Sequence, residues 1–332
     1  MAYDKKLLSA ARRELERDRE AHEDELEARR RDIYAREPRI RAIDRELSAT
    51  AIQVLRAALE QGSDPEKAIA SLRERNLSLQ EERSRLLRGL GLPADWLTNR
   101  PMCECGDTGY EGAATCECVK RRYARLLKQQ LSSVLPIEDQ NFEKFNLSYY
   151  SPRIDPNMHD SPLENIKVNL FECKAYARNF GENSPNLLLY GSTGLGKTFL
   201  STCVAEAVSA RGFSVAYDTA INIIAAYETI KFGNGDGAAA AERAARYERA
   251  DLLIIDDMGT EMGTAFTVSA LYNLINNRLM AHRPMIVNTN LLPDELKKRY
   301  SPAVASRLLG EFKQLRFFGD DIRMPKRRLQ NR

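Results

Sequence analysis

Residues 186–200 read NLLLYGSTGLGKTFL. The apolar run Leu187–Tyr190 predicts a buried strand. Gly191, Gly196, Lys197 and Thr198 then fall at the spacing G-x-x-x-x-G-K-[ST], and the amphipathic run that follows predicts a helix over 197–211. Strand, glycine-bearing turn and helix in this order make a phosphate cradle. Glycines let the backbone wrap an anion, so that Gly191, Ser192, Thr193, Gly194, Leu195, Gly196, Lys197, Thr198 and Phe199 aim N–H groups inward at a helix N-terminus. The Lys197 ammonium suits β- and γ-phosphates, and the Thr198 hydroxyl suits Mg²⁺. A glycine-rich turn arising by chance would lack the flanking strand and helix.

The same alternation continues downstream. Apolar runs at Ser214–Tyr217, Leu252–Asp256, Met285–Thr289 and Gln314–Phe318 predict strands. Helical patterns at 163–180, 219–231, 238–250 and 264–281 lie before or between them. The pattern predicts an α/β fold: a parallel sheet covered by helices on both faces, beginning near residue 163. In "ADLLIIDDMGTE" a strand ends in two acids. Asp256 suits Mg²⁺ through its water shell, and Asp257 suits orientation or deprotonation of an attacking water. Two carboxylates directly after aliphatics are costly to bury without a cation, which weighs against a plain helix cap. "PMIVNTNLLPDEL" ends a strand at Asn288, Thr289 and Asn290. Asn290 is the candidate γ-phosphate sensor, with Asn288 the alternative and an ordinary turn the bland reading. Arg307, in "SPAVASRLLGEF", suits a finger inserted into a neighbour's site, and Arg323, in "FFGDDIR", suits a sensor in cis. Taken singly, each is more often a surface ion-pair partner, and Arg299 is a near neighbour of the first.

Residues 1–100 are rich in Glu, Arg, Leu and Ala and predict a helical or coiled-coil region. Ile33, Ile40 and Leu47, with Ile43, form one a/d-like stripe, and Leu72, Leu79 and Leu86 form another. Pro38 predicts a kink or split, and Gly62 with a Ser63/Glu66 capping box around Pro65 predicts a stop and restart. The expected product is an antiparallel hairpin or small bundle, either self-contained or a partner-docking arm. Residues 101–135 hold "MCECGDTGYEGAATCECV" and then a basic helix, "KRRYARLLKQQL". Cys103, Cys105, Cys116 and Cys118 form two Cys-x-Cys pairs suited to one metal ion. Zinc is the expected occupant of a small four-thiolate knuckle, and an iron–sulfur centre is the alternative left open. Cys173 and Cys203 lie alone in helical patterns and read as core residues. Residues 136–162, with Pro, Asn and interleaved aromatics, read as a linker to an ATPase-like domain over 163–332.

Composition narrows the classes. The chain has 332 residues, 43% hydrophobic and 29% charged, enough for a large domain and a smaller one. No apolar run approaches the roughly 18 residues of a membrane span, and the N-terminus is charged from the start, so no membrane segment or signal peptide is expected. A cytoplasmic location is the default. A net charge of +3 does not imply a globally basic nucleic-acid binder. "MPKRRLQNR", at 324–332, is a local basic patch: a solvated tail or a phosphate contact.

"GSTGLGKT", "LLIIDDMGTE", "IVNTNL", "ASRLLGEF" and "GDDIR", in that order, resemble the AAA+ ATPases of the DnaC/DnaI helicase-loader and IstB-like group. The cysteine cluster followed by "NFEKFNLSYYS" resembles the N-terminal part of the DnaI-type branch. The likeness covers roughly residues 100–325, and the first hundred match only in helical, charged character. It implies an AAA+ (ASCE P-loop) sheet, ATP and Mg²⁺ as cofactors, Zn²⁺ in the knuckle, and slow, switch-like ATP hydrolysis. It further implies a loader that contacts single-stranded DNA, delivers a DnaB-type replicative helicase and self-assembles through an arginine finger. By motif, Lys197 and Thr198 are Walker A, Asp256 and Asp257 Walker B, Asn290 sensor 1, Arg307 the finger and Arg323 sensor 2. Glu261, in "DDMGTE", also fits the group's pattern. The nine residues after Arg323 are too few for the helical lid of unfolding-type AAA+ machines.

One position departs from the resemblance. The group's pattern puts Cys-x-x-Cys before "DTG", but here Met102 stands at the first place and leaves the tighter Cys103-x-Cys105 pair. Two other classes compete with the loader. An IstB-like transposition helper ATPase would act on duplex target DNA with a transposase and is expected to lack the cysteines. A non-catalytic adaptor is opposed by the intact lysine and paired aspartates. Lys231 and Phe232, in "ETIKFGNGDG", offer a nucleic acid one charge and one stacking ring, or are a solvated loop with one anchoring ring.

Overall fold

A computed structural model of the chain describes residues 4–59, 65–132 and 134–323. The chain divides into two compact units, Arg12–Cys118, and Met1–Ala11 with Val119–Arg332.

The N-terminal region is built from α1 (Lys5–Arg36), α2 (Pro38–Leu59) and α3 (Pro65–Gly89). Proline lacks an N–H and is tolerated in a first turn, so Pro38 splits the helix as expected and starts α2. Arg39 pairs with Glu82, Asp44 with Arg83 and Glu46 with Arg75. Ascending positions on α2 thus meet positions near or before Glu82 on α3, and the two helices run antiparallel. Ile33, Ile40, Leu87 and Leu97 bury a small core with Tyr34 and Trp96 packed on it. The second stripe is offset from expectation: Leu79 is buried, but Leu87 rather than Leu86 takes the next core position. Leu86 packs half-buried against the same small core, so the buried face is broad enough to take both residues. The stop at Gly62 and the cap at Ser63 lie outside the described residues.

After a two-stranded antiparallel hairpin, β1 (Tyr110–Glu111) and β2 (Ala114–Thr115), the chain enters α4 (Glu117–Ser132). The larger unit is a five-stranded parallel sheet. Its strands are β3 (Asn186–Tyr190), β4 (Val215–Thr219), β5 (Leu252–Met258), β6 (Met285–Thr289) and β7 (Phe312–Arg316), in the order β4-β5-β6-β3-β7. The strand β3 that leads into the glycine loop therefore has β6 inserted between it and β5, the order expected of an extra-strand P-loop sheet. Side chains alternate across a strand, so one face carries Leu187, Leu189, Ile254 and Ile286 and the other Leu188, Leu253, Ile255 and Val287. Both faces are apolar because both are covered. α5 (Pro162–Asn179) and α6 (Lys197–Ala210) contribute to the first layer. α7 (Ala220–Phe232), α8 (Gly237–Arg249), α9 (Ala265–Met280), α10 (Pro293–Arg299) and α11 (Pro302–Gly310) contribute to the second.

Two expectations change. β7 begins at Phe312, two residues before the expected Gln314. It is the edge strand, and its half-exposed pattern carries a weaker apolar signal. The stretch 136–162 is packed rather than linker-like. Ile137 and Tyr150 are buried in the sheet's first core, and Phe142, Phe145, Leu147 and Tyr149 pack against it. Its aromatics, spaced by polar residues, anchor the segment on the domain.

Candidate nucleotide site and cysteine cluster

The loop between β3 and α6 curls over a cavity of about 400 Å³. Gly191 has φ 133°, and a Cβ there would stand 2.0 Å from the Phe317 carbonyl oxygen. Gly196 caps α6 with φ 91°, and a Cβ there would stand 2.5 Å from the Tyr150 hydroxyl. Any side chain at either place would spread the loop. The loop residues Thr193 to Phe199 line the cavity together with Asp256, Asp257, Asn290 and Arg323. The structure thus brings together the residues predicted for Walker A, Walker B, sensor 1 and sensor 2.

Lys197 is 8% exposed and donates to the carbonyls of Gly191 (2.6 Å) and Ser192 (2.7 Å). Burial lowers its ammonium to about 8, while Asp257 and Asp256 pull it back upward. The Thr198 hydroxyl donates to Asp256 Oδ1 at 3.2 Å, so hydroxyl and carboxylate sit side by side as a hydrated divalent cation requires. Asp257 adopts φ 52°, a conformation uncommon for a non-glycine residue, and turns an exposed carboxylate to the cavity. Burial of part of that group and the charge of Asp256 raise its carboxyl above the ordinary range, against Lys197 and Arg323. Asn290 Oδ1 and Gln140 Oε1 are buried in the cavity wall without a partner. A polar ligand with donor groups fits such a lining.

Several functional contacts escape a reading of the sequence. Asn288, the alternative sensor, points its amide into the core at Asp256 Oδ1 (2.7 Å) and Ser201 Oγ (2.8 Å). Asn290, the first choice, is the asparagine at the cavity. The Tyr217 phenol donates to Asp256 Oδ2. Tyr150 donates to the Leu195 carbonyl at 3.1 Å and stacks on Phe145, whose ring meets Phe199 edge-on. Glu261 is 4% exposed and accepts from the Gly259 N–H at 2.8 Å and from the Tyr300 hydroxyl, pinning the loop after β5. Arg299 donates to the Glu261 carbonyl and is engaged in the same loop. Arg307 lies outside the nucleotide cavity on α11, 3.7 Å from Glu311. Lys231 stands over Phe266 (4.8 Å) and Phe232 (5.5 Å), and Phe232 is 57% exposed. Sequence spacing showed the lysine and one ring; only the fold adds Phe266. The patch 324–332 lies outside the described residues.

The four cysteine sulfurs lie within 4.8 Å of one another. Cys103 and Cys116 are 3.6 Å apart, and Cys105 and Cys118 are 3.7 Å apart. Four thiolates at zinc's usual bond length stand about 3.8 Å apart, so the donor set fits. The tight Cys-x-Cys turn is held by Asp107, whose carboxylate accepts from the N–H groups of Met102 and Cys103, each at 2.9 Å. Met102, at the place where the group's pattern puts a cysteine, is 46% exposed, and it is the Cys103 sulfur that joins the cluster.

Residues 169–328 match the family described as IstB-like ATP binding protein. An ATP-binding protein in an insertion sequence of Mycobacterium tuberculosis is 28% identical over 125 residues, 37% of this chain and 48% of that protein. The replicative helicase loader DnaC of Escherichia coli K12 is 24% identical over 172 residues, 50% of this chain and 69% of that protein. The chain thus spans about half the length of the first of these relatives and about two thirds of the second. A crystal structure of the DnaC helicase loader superposes with a TM-score of 0.45 and 16% identity, over 55% of this chain and 99% of that one. A DnaI crystal structure superposes at 0.42 and 16%, over 56% and 92%. No described helix is long and apolar enough to cross a membrane.

Proposed function

From an IstB-like ATP-binding domain homologous to the DnaC loader, we propose that this chain is an ATP-hydrolysing AAA+ switch of the helicase-loader type. The observation that carries the reading is the Thr198–Asp256 pair beside buried Lys197 under a P-loop. Lys197 and the loop N–H groups bind phosphates, and Thr198 and Asp256 are the residues that would hold Mg²⁺. When bound, the ion neutralises charge on the transferring phosphoryl group. Asp257 orients the attacking water, its raised carboxyl making it a readier proton acceptor. Asn290 senses the γ-phosphate, Arg323 contacts it in cis, and Arg307, away from its own cavity, serves a neighbouring copy's site.

On this reading the N-terminal helices dock a DnaB-type replicative helicase. Zinc in the cysteine knuckle stabilises a segment with little core of its own. Lys231 with Phe232 and Phe266 forms a charge-and-ring platform for single-stranded DNA. The work is cytoplasmic. The transposition-helper reading is favoured by the family match and the insertion-sequence relative. The cysteine cluster favours the loader. Affinity capture with the full chain and ATP decides between them: recovery of a replicative helicase is expected, and recovery of a transposase would sink the loader.

A further inference from the structure

Asp256 is 3% exposed and receives hydrogen bonds from Thr198 and Asn288 at Oδ1 and from Tyr217 at Oδ2. All these donors are neutral. They orient the carboxylate without cancelling its charge, which stays available to a cation. Among the described residues the Tyr217 phenol is the sole donor to Oδ2, so without it that oxygen loses its tether and the carboxylate can turn about its own bond.

The phenol is also well anchored. Tyr217 lies on β4, paired with β5 so that Thr219 faces Asp256. The next residue, Asp218, accepts from Tyr247 of α8 and Asn222 of α7, each at 2.7 Å. Thr219 then caps α7 by accepting from the Asn222 N–H. The second and third members of the Tyr-Asp-Thr triplet are thus tied to α7 and α8, and its first member reaches across to the neighbouring strand.

We propose that Tyr217 is a positioning residue for the metal: it fixes Asp256 so that the carboxylate presents its charge to Mg²⁺ beside Thr198. This rests on the reading of the cavity as a Mg-nucleotide site. Phenylalanine at 217 keeps the ring in the core and removes only the hydroxyl. Equilibrium binding of a fluorescent, non-hydrolysable ATP analogue to the full chain, titrated with Mg²⁺, tests it. For Tyr217→Phe the Mg²⁺ concentration at half-maximal effect is expected to rise about 10-fold, with metal-free affinity unchanged. An unchanged midpoint overturns the inference while leaving the site intact. A lower midpoint overturns it too, by showing that the phenol competes with the metal. A variant whose melting temperature and metal-free affinity fall together, with the midpoint unmoved, shows a structural role and overturns it as well. Absence of any Mg²⁺ effect in the wild-type chain overturns the site reading itself.

Discussion

Asn288 on β6 donates at 2.7 Å to Asp256 on β5, joining the two neighbouring strands inside the sheet. The bond is buried, so truncation would leave both Asp256 and Ser201 with a missing partner. Asn288→Ala is expected to cost about 2–3 kcal/mol of stability, as for a lost hydrogen bond to a buried charged group. Urea denaturation measures it. Asn290→Ala should leave the denaturation midpoint nearly unchanged and lower turnover. The opposite pattern would exchange the two roles.

Asp257 and Lys197 separate binding from turnover. Asp257→Ala is expected to lower kcat about 100-fold or more while nucleotide still binds. Lys197→Ala is expected to weaken nucleotide binding itself. Steady-state phosphate release and equilibrium binding read the two effects. Unchanged turnover in both variants would leave an adaptor rather than an enzyme.

Lys197 makes nucleotide binding pH-dependent. Its ammonium is held at about 8, below the ordinary 10.5. Contact with polyphosphate stabilises the charged form, so binding at pH 8 should take up about half a proton. Calorimetry in buffers of different ionisation enthalpy measures the uptake, and proton release would contradict it. Between 8 and 10.5 the unfolded chain holds more protons at this residue than the folded one. The lysine's contribution to stability therefore rises with pH across that window.

The Glu261 carboxylate holds the loop after β5. Glu261→Ala leaves the Gly259 N–H and Tyr300 hydroxyl without their acceptor, at an expected cost of about 3 kcal/mol. Thermal unfolding checks this. Glu261→Gln, which retains an acceptor, should lose less.

The cysteine cluster should hold about one zinc per chain, measured by elemental analysis. Cobalt substituted at the site should show the absorption of a tetrahedral four-thiolate ion, and Cys116→Ser should lose both metal and helicase capture. A brown protein with iron and labile sulfide would replace zinc by an iron–sulfur centre.

What the sequence displays is local. The P-loop, the paired aspartates and the cysteine pairs are legible because each motif is continuous or nearly so. Tyr150 on Leu195, Tyr217 on Asp256 and Tyr300 on Glu261 join residues far apart in the chain. No spacing rule reports them. Arg278 shows the same limit: as a basic residue in the last turn of α9 it looks like a surface cap. It is instead 1% exposed, giving its guanidinium to the carbonyls of Tyr247, Ala250 and Pro284. Burial pushes it down to about 9.

Tyr150 and Phe145 also bear on where the nucleotide-binding domain can be cut. The shared family segment starts at residue 169, yet Tyr150 closes the cavity against the Leu195 carbonyl from outside it. A fragment trimmed to the family boundary would carry every nucleotide motif and still lack one wall of the chamber. Its nucleotide affinity would then describe the trimmed piece, and chain beginning before Asp139 is the minimum that keeps the chamber whole.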